Sequence, residues 1–214
     1  MTLARYIDHT MLKPTATRAE IINLCNQALQ YNFAAVCVPP TYVRLCTSIL
    51  ANRKVKVATV IGFPFGYSQI EAKLNECKLA VAAGANELDM VINIAALKNN
   101  NLNYLEQEIS VISSYTHKKN ICLKIIIESG VLTHHEIINC CQLYNQYPIQ
   151  YLKTSTGYAQ HGASIEAVTL FKTHLNPIIS IKASGGIRTK DAAIAYIEAG
   201  ATRIGTSAGI EIVK

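Results

Sequence analysis

Ile149-Gln150-Tyr151-Leu152-Lys153-Thr154-Ser155-Thr156-Gly157 is a short apolar run that ends in a lysine, three hydroxyl side chains and a glycine. Side chains alternate along a β-strand, so Ile149, Tyr151 and Lys153 share one face, and the lysine points where the apolar side chains point. Burial disfavours the charged form of a lysine, and a second cation nearby disfavours it further. Lys153 is therefore our candidate nucleophile for a Schiff base, although an isolated strand-end lysine more often extends its ammonium group into solvent.

Apolar runs of this length occur eight times and alternate with longer segments of helical period. The predicted strands are residues 5–9, 34–38, 55–62, 87–92, 122–127, 149–154, 178–182 and 203–205. The predicted helices lie near residues 18–31, 41–52, 68–83, 102–115, 133–144, 164–174 and 189–199. Two capping boxes, Thr17 with Glu20 and Thr133 with Glu136, support helix starts, and Gly84 and Gly200 stand where a helix end requires positive φ.

Eight such units in 214 residues predict an α/β fold, a small (β/α)8 TIM barrel, as a single domain over residues 1–214. An open doubly wound sheet is the less favoured alternative. No Gly-x-Gly-x-x-Gly motif follows the first strand, and polar residues recur at the ends of many strands rather than at one switch point. Only seven residues, 208–214, follow the last strand and its loop, so we expect a shortened C-terminal helix.

Composition excludes several classes of protein. The longest uncharged stretch, residues 21–43, contains polar side chains and Pro39-Pro40, which disqualifies it as a membrane span. The N-terminus lacks a signal-peptide core, and the seven cysteines lie mostly in apolar segments, so we expect a cytoplasmic protein with reduced thiols. The net charge is +6, but the basic residues are scattered, which argues against a nucleic-acid partner.

Six strands carry a polar or reactive side chain where a plain barrel core would have Val, Ile or Leu: Asp8, Cys37, Asp89, Lys124, Lys153 and Lys182. Each has a structural alternative when taken alone. Asp8 could cap a turn, Asp89 and Lys124 could form an ion pair, and Cys37 could be a small core residue. Three lysines and two aspartates in one lumen are costly unless they are paired, so together they indicate a site at the mouth of the barrel.

Two glycine-rich segments, residues 182–189 and 203–209, close the seventh and eighth predicted strands. Backbone amides at a helix N-terminus bind phosphate, and in barrels the loops after strands seven and eight are the usual place. The two segments together predict a phosphate site.

Segments similar to those of a known family occur along nearly the whole chain. They are residues 7–14, 35–38, 60–64, 87–91, 123–130 and 203–207 and the segments around Lys153 and Lys182. In these segments the chain resembles the deoxyribose-phosphate aldolases, a family of class I aldolases. The resemblance implies a barrel that reversibly cleaves 2-deoxy-D-ribose 5-phosphate to acetaldehyde and D-glyceraldehyde 3-phosphate, without metal or cofactor.

The resemblance also implies roles for the site residues. Lys153 is the Schiff-base lysine, and Asp89 and Lys182 serve a proton relay. The remaining residues are expected to contact the sugar or its phosphate: Asp8, Cys37, Lys124, Thr156, Gly157, Gly185, Gly186, Gly205 and Ser207. Two positions depart from the family, since Tyr158 stands where a lysine is usual and Ala208 where a serine is common.

Three other functions stay open at this point. A different Schiff-base aldolase or a transaldolase would keep Lys153 but change the substrate. A non-catalytic protein that binds phosphate ligands or nucleic acid would make Lys153 dispensable. A metal hydrolase is the weakest alternative, because the adjacent His134 and His135 cannot both face one site from a helix. The sequence leaves the oligomeric state open, with a homodimer as one candidate.

Overall fold

The chain forms a closed barrel of eight parallel β-strands in a computed structural model that describes residues 2–214. The strands are β1 Ile7–Thr10, β2 Ala35–Val38, β3 Lys56–Ile61, β4 Glu87–Val91, β5 Cys122–Ile126, β6 Tyr151–Lys153, β7 Ser180–Ser184 and β8 Arg203–Thr206. Each strand pairs with the next in sequence, and β8 pairs with β1 in a register that sets Asp8 opposite Gly205. The (β/α)8 prediction is confirmed.

Helices follow the strands around the outside of the barrel. They are α1 Arg18–Tyr31, α2 Val43–Ile49, α3 Ile70–Ala82, α4 Ile94–Lys98, α5 Leu102–Lys118, α6 His134–Tyr144, α7 Ile165–His174, α8 Lys190–Glu198 and α9 Gly209–Val213. The last helix has five residues, as expected from the short C-terminal segment. Among residues 2–214, no helix combines the length and the apolar character that crossing a bilayer requires.

The predicted caps are present. The side chain of Thr17 accepts a hydrogen bond from Glu20 N at 3.3 Å, and Thr17 N donates to Glu20 Oε2 at 2.7 Å. Thr133 and Glu136 form the same capping box at the start of α6. Gly84 and Gly200 have φ values of 100° and 121°, which confirms them as helix-end glycines.

Several boundaries differ from the predicted ones. The first strand begins at Ile7 because Leu3–Tyr6 forms a 3-10 turn. The seventh begins at Ser180 because residues 176–179 form a turn, which Ile179 N closes on Asn176 O at 2.8 Å. The second helix is shorter than predicted and follows a 3-10 turn at Pro40–Tyr42. The sequence does not predict α4, since five residues are too few for helical periodicity to be visible.

Strand alternation divides the interior into two regions. Outward-facing side chains such as Leu88, Leu152 and Ile204 belong to the large apolar core shared with the helices. Inside the barrel, Cys37, Ala58 and Val60 form a small apolar cluster on β2 and β3, covered by Leu12 and Phe63. The other strands fill the lumen largely with charged side chains, and these build the site.

Candidate active site in the barrel lumen

Seven charged side chains are linked by ion pairs inside the barrel. We call them the lumen network: Asp8, Glu87, Asp89, Lys124, Lys153, Lys182 and Arg203. They come from six strands and occupy inward positions, because side chains on one strand alternate between lumen and core. All are buried except Arg203, whose side chain is 14% exposed.

Asp89 is the centre of the upper part of the network. Its Oδ1 lies 2.7 Å from Lys124 Nζ, and its Oδ2 lies 2.7 Å from both Lys153 Nζ and Lys182 Nζ. Burial alone would raise the pKa of Asp89, but the three ammonium groups together hold that pKa well below its usual range. Asp89 is therefore a stable carboxylate that can accept a proton only briefly.

Lys153 differs from the other two lysines of the network in protonation. Burial lowers the pKa of Lys153, the charge of Asp89 opposes this, and the charge of Lys182 lowers the pKa further. Lys182 and Lys124 are equally buried, but nearby carboxylates raise the pKa of each above its usual value. Lys153 is thus the amine of this network that most readily loses its proton and becomes nucleophilic.

The lower part of the network lies deeper in the barrel. Lys182 Nζ donates to Asp8 Oδ2, and Arg203 Nη1 donates to Asp8 Oδ1 at 2.6 Å. Lys124 Nζ lies 2.6 Å from Glu87 Oε2, which is also 3.5 Å from Arg203 Nη1. No role for Glu87 or Arg203 is predicted from the sequence. Each stands two residues before a predicted site residue on the same strand, and that spacing is the signal that could have identified them.

A cavity of about 500 Å³ opens above the network at the carboxyl ends of the strands. We call it the mouth cavity. It is lined by seven of the predicted site residues: Lys153, Thr156, Gly157, Gly185, Gly186, Gly205 and Ser207. The other five, Asp8, Cys37, Asp89, Lys124 and Lys182, are fully buried and do not line the cavity. Of these five, Asp89 contacts Lys153 directly, and Lys124 and Lys182 contact Asp89 in turn.

Two glycines of the site meet different geometric needs. Gly186 has φ of 84°, and a Cβ built there would have no neighbour within 4 Å, so its surface is open to the cavity. A Cβ on Gly205 would lie 3.1 Å from Lys182 Cε and 2.9 Å from Ser184 Cβ. Gly205 therefore makes room for the Lys182 side chain in addition to lining the cavity.

Two cations line the mouth cavity, Lys13 after β1 and Arg188 just before α8. Neither cation is predicted from the sequence, and residue 158 is not basic. Tyr158 instead donates a hydrogen bond from its hydroxyl to Leu12 O at 2.8 Å and contacts Phe63 edge-on. The positive charge of the cavity lining therefore comes from the loops after β1 and β7, and not from the loop after β6.

Glu128 supports the loop after β6, which lines the cavity through Thr156 and Gly157. Thr156 N donates to both carboxylate oxygens of Glu128 at 3.2 Å, and the Thr156 hydroxyl donates to Oε2. Tyr158 N donates to Thr156 Oγ1 at 3.0 Å. The hydroxyl proton of Thr156 is thus already used, so the hydroxyl can offer the cavity only an acceptor. Sequence reasoning gives Glu128 no role, because nothing in its local spacing points to this contact.

Cys37 lies in the small apolar cluster of the lumen. Burial raises the pKa of its thiol to about 11, and the charge of Asp89 adds to that rise. The thiol therefore stays protonated near neutral pH, which suits a small packing residue better than a nucleophile. Within residues 2–214, no group of three His, Cys, Asp or Glu side chains is arranged to hold a metal ion.

Comparison with known proteins gives consistent matches. Residues 2–214 match the family described as DeoC/LacD family aldolase. A deoxyribose-phosphate aldolase from Treponema denticola is 47% identical over 213 residues, which cover 100% of this chain and 99% of the relative. One from Thermococcus gammatolerans is 48% identical over 216 residues, covering 100% and 96%. The tetrameric structure of deoxyribose phosphate aldolase from Aeropyrum pernix matches with a TM-score of 0.91 at 30% identity, over 99% of this chain and 89% of that one.

Proposed function

Because the chain belongs to the DeoC/LacD family of aldolases, we propose that it reversibly cleaves 2-deoxy-D-ribose 5-phosphate to acetaldehyde and D-glyceraldehyde 3-phosphate through a Schiff base on Lys153. The shared name of the two relatives supports this substrate. One observation carries the mechanism: of the three lysines in the lumen network, Lys153 is the one that lines the cavity and has a lowered pKa.

The free amine of Lys153 attacks the C1 aldehyde of the open-chain sugar, and loss of water gives a cationic iminium group. The C3 hydroxyl then loses its proton, the C2–C3 bond breaks, and its electron pair moves into the iminium group to form an enamine. D-glyceraldehyde 3-phosphate leaves at this step. Protonation of the enamine at C2 and hydrolysis of the new iminium group release acetaldehyde and restore the amine.

Asp89 and Lys182 supply the proton relay in this proposal. Both nitrogens, Lys153 Nζ and Lys182 Nζ, lie 2.7 Å from Asp89 Oδ2, so a proton lost by the attacking amine has an acceptor in contact. Asp8 and Asp89 raise the pKa of Lys182, which keeps it an ammonium group able to donate. A water molecule in the cavity would carry protons between this pair and the enamine carbon.

The sugar phosphate is assigned to the glycine side of the mouth cavity, at Gly185, Gly186, Gly205 and Ser207. Lys13 and Arg188 line the same cavity and supply positive charge. Thr156 and Gly157 line the same cavity, and the acceptor that the Thr156 hydroxyl offers suits a sugar hydroxyl and not a phosphate oxygen. Asp8, Cys37 and Lys124 complete the site from below by setting the charge and shape of its floor.

We also make proposals about the domain organisation, the partners and the assembly of the protein. We infer that residues 1–214 act as one barrel domain that takes a phosphosugar and binds neither nucleic acid nor membrane. All seven cysteines are free, which supports a reducing compartment such as the cytoplasm. Self-association, with a homodimer as the smallest assembly, is supported by the tetramer described for the Aeropyrum pernix aldolase.

Product analysis tests the proposed function. The protein should convert 2-deoxy-D-ribose 5-phosphate to acetaldehyde and D-glyceraldehyde 3-phosphate at the same rate with or without excess chelator, because the iminium group is the electron sink. Lys153→Leu should lose at least about 10³-fold in turnover. Lys118→Leu, which changes an exposed lysine on α5, is the matched control and should keep full activity.

Three results would overturn the proposal. Different products would indicate another Schiff-base aldolase with the same lysine. Full activity in a folded Lys153→Leu variant would remove the covalent mechanism. Loss of activity with chelator, restored by zinc, would point to a metal-dependent reaction instead.

A further inference from the structure

The lumen network contains more cations than anions. Its three carboxylates are Asp8, Glu87 and Asp89, and its four basic groups are Lys124, Lys153, Lys182 and Arg203. An uncompensated charge in a buried site costs several kcal/mol. The network is therefore neutral only when one of the four basic groups has lost its proton.

The contacts decide which group gives up the proton. Arginine does not deprotonate in proteins, so Arg203 is excluded. Lys124 lies within 4 Å of three carboxylates, at 2.6 Å from Glu87, 2.7 Å from Asp89 and 3.7 Å from Asp8. Lys182 pairs with both Asp8 and Asp89. Lys153 pairs with Asp89 alone and shares that oxygen with Lys182, so Lys153 is the least compensated cation.

Arg203 forms no ion pair with Lys153, but it shares Asp8 with Lys182 and Glu87 with Lys124. It lies at the start of β8, is not among the residues that line the mouth cavity, and pairs with Asp8 and Glu87. Its Nη2 also donates to the Tyr151 hydroxyl at 3.2 Å, and its guanidinium carbon lies 5.4 Å from the centroid of the Tyr151 ring. These contacts fix a permanent positive charge among the lower carboxylates of the network.

We propose that Arg203 is a positioning residue for the Schiff-base lysine: by occupying Asp8 and Glu87 with a charge that cannot be lost, it makes Lys153 the surplus cation and keeps it a free amine. This inference rests on the proposed function of Lys153. Without Arg203 the network would hold three carboxylates and three lysines. All three lysines could then remain charged, and Lys153 would lose its nucleophilic form near neutral pH.

The other titratable groups around Lys153 do not supply this control. Asp89 on β4 and Lys182 on β7 belong to the network, and Lys124 on β5 acts through Asp89. Cys37 on β2 is a neutral thiol because burial raises its pKa to about 11. Glu128, after β5, feels the charge of Lys153 without forming an ion pair with it; burial raises the pKa of Glu128, and its carboxyl group accepts hydrogen bonds from Thr156. Lys13 and Arg188 also line the mouth cavity and are the same in every variant proposed below.

The experiment measures how the rate of Schiff-base formation at Lys153 depends on pH, by single-turnover borohydride trapping with acetaldehyde. In Arg203→Met we expect the apparent pKa of Lys153 to rise by at least about one unit, so that trapping falls about tenfold near neutral pH and recovers at alkaline pH. Arg203→Lys keeps the charge and should stay close to the wild-type profile. In the double variant Arg203→Met with Glu87→Gln, one cation and one anion are removed together, and the profile should return towards the wild type.

Glu87→Gln alone should shift the pH profile of Lys153 in the opposite direction. It therefore tests the inference even if the Arg203→Met protein does not fold. Removing one anion leaves the network with a larger surplus of cations, so the Lys153 profile should shift to lower pH. Inhibition by inorganic phosphate, which cannot form a Schiff base, should be unchanged in all folded variants, since Arg203 and Glu87 lie outside the cavity.

A lower trapping rate in Arg203→Met with an unshifted pH profile would indicate a purely structural role and overturn the inference. So would a Glu87→Gln profile that moves to higher pH. Failure of the proposed function is a separate outcome, because in that case the wild-type protein itself would not be trapped at Lys153.

Discussion

Lys153 and Lys182 face each other on neighbouring strands and share one carboxylate oxygen, yet their environments drive their pKa values in opposite directions. Lys182 also pairs with a second carboxylate, Asp8, whereas Lys153 pairs with Asp89 alone. One nitrogen is therefore suited to attack a carbonyl as a free amine, and the other to remain an ammonium group and donate a proton. The separation of the two roles comes from one additional ion pair.

Replacing Lys182 should remove this separation. In Lys182→Leu, Asp89 Oδ2 pairs with Lys153 alone, so Lys153 should stay charged and the relay should lose its donor. We expect kcat/KM near neutral pH to fall by at least about 10²-fold, the usual contribution of a positioned acid or base. Raising the pH should restore trapping at Lys153 but only part of the turnover.

The same measurement on Lys118→Leu controls for the loss of one positive charge at the protein surface. If turnover were unchanged in a folded Lys182→Leu variant, Lys182 would have no part in the mechanism.

At this scale the sequence predicts the inward direction of Lys153, because alternation along a strand requires only the position of the strand. The sequence does not predict how deep in the barrel lumen each side chain lies. Asp8 and Lys124 were expected to touch substrate, but they lie below the cavity, since depth depends on the stagger of strands around the barrel. Glu87 and Arg203 are missed for a related reason: they start β4 and β8, and their contact is formed only when the barrel closes.

The loops that follow β6, β7 and β8 form the wall of the mouth cavity, and they pack directly on one another. Ala163 N donates to Gly185 O at 3.1 Å, and a Cβ on Gly162 would lie 2.3 Å from the same oxygen. The loop after β6 is therefore held against the glycine loop after β7. This contact fixes the position of Gly186, which faces open space in the cavity.

Gly186→Val tests whether that loop holds the phosphate. The new side chain should occupy space that phosphate oxygens need, so KM for 2-deoxy-D-ribose 5-phosphate should rise at least about tenfold. A single charge-assisted hydrogen bond is worth about 1.5–3 kcal/mol, which is enough for this effect. KM for unphosphorylated 2-deoxy-D-ribose should change much less.

Backbone strain from a side chain at positive φ needs its own control. Gly200→Val creates strain of the same kind, at φ of 121°, behind α8 and outside the cavity. Gly200→Val should lower the free energy of unfolding without raising KM for one substrate more than for the other. If Gly186→Val weakened both substrates equally, the loop would be a structural turn and the phosphate would have to bind elsewhere.

Elements with strong local signals are predicted well from the sequence. The two capping boxes and the helix-end glycines act within a few residues, so they can be recognised without knowledge of the fold. The 3-10 turns and α4 are not predicted, because short segments of this kind depend on the strands and helices around them. The two glycine-rich segments that we propose bind phosphate are visible in the sequence as glycine clusters, but the packing of Gly162 on Gly185 could not be inferred from spacing alone.

The whole barrel divides its lumen between two kinds of interior. On the side of β2 and β3, Cys37, Ala58 and Val60 fill it with apolar atoms, and the remaining strands fill it with the lumen network. A stable barrel core is normally apolar, so these buried charges are typical of a functional site that is maintained at the expense of stability. The sequence predicts the closed barrel from its eight strand-like runs, because parallel strands with helical crossovers close at that number.

The central claim is that Lys153, placed as the surplus cation of the lumen network, is the residue that bonds to the substrate. The most direct measurement is borohydride reduction in the presence of 2-deoxy-D-ribose 5-phosphate, followed by peptide mass mapping of every lysine. Lys73 is an internal control, because burial lowers its pKa as well, but it pairs with Glu108 at 2.6 Å and lies outside the mouth cavity. We predict a stable adduct on Lys153 and none on Lys73, Lys124 or Lys182. An adduct on one of those three lysines in place of Lys153, or no adduct from an active protein, would contradict the claim.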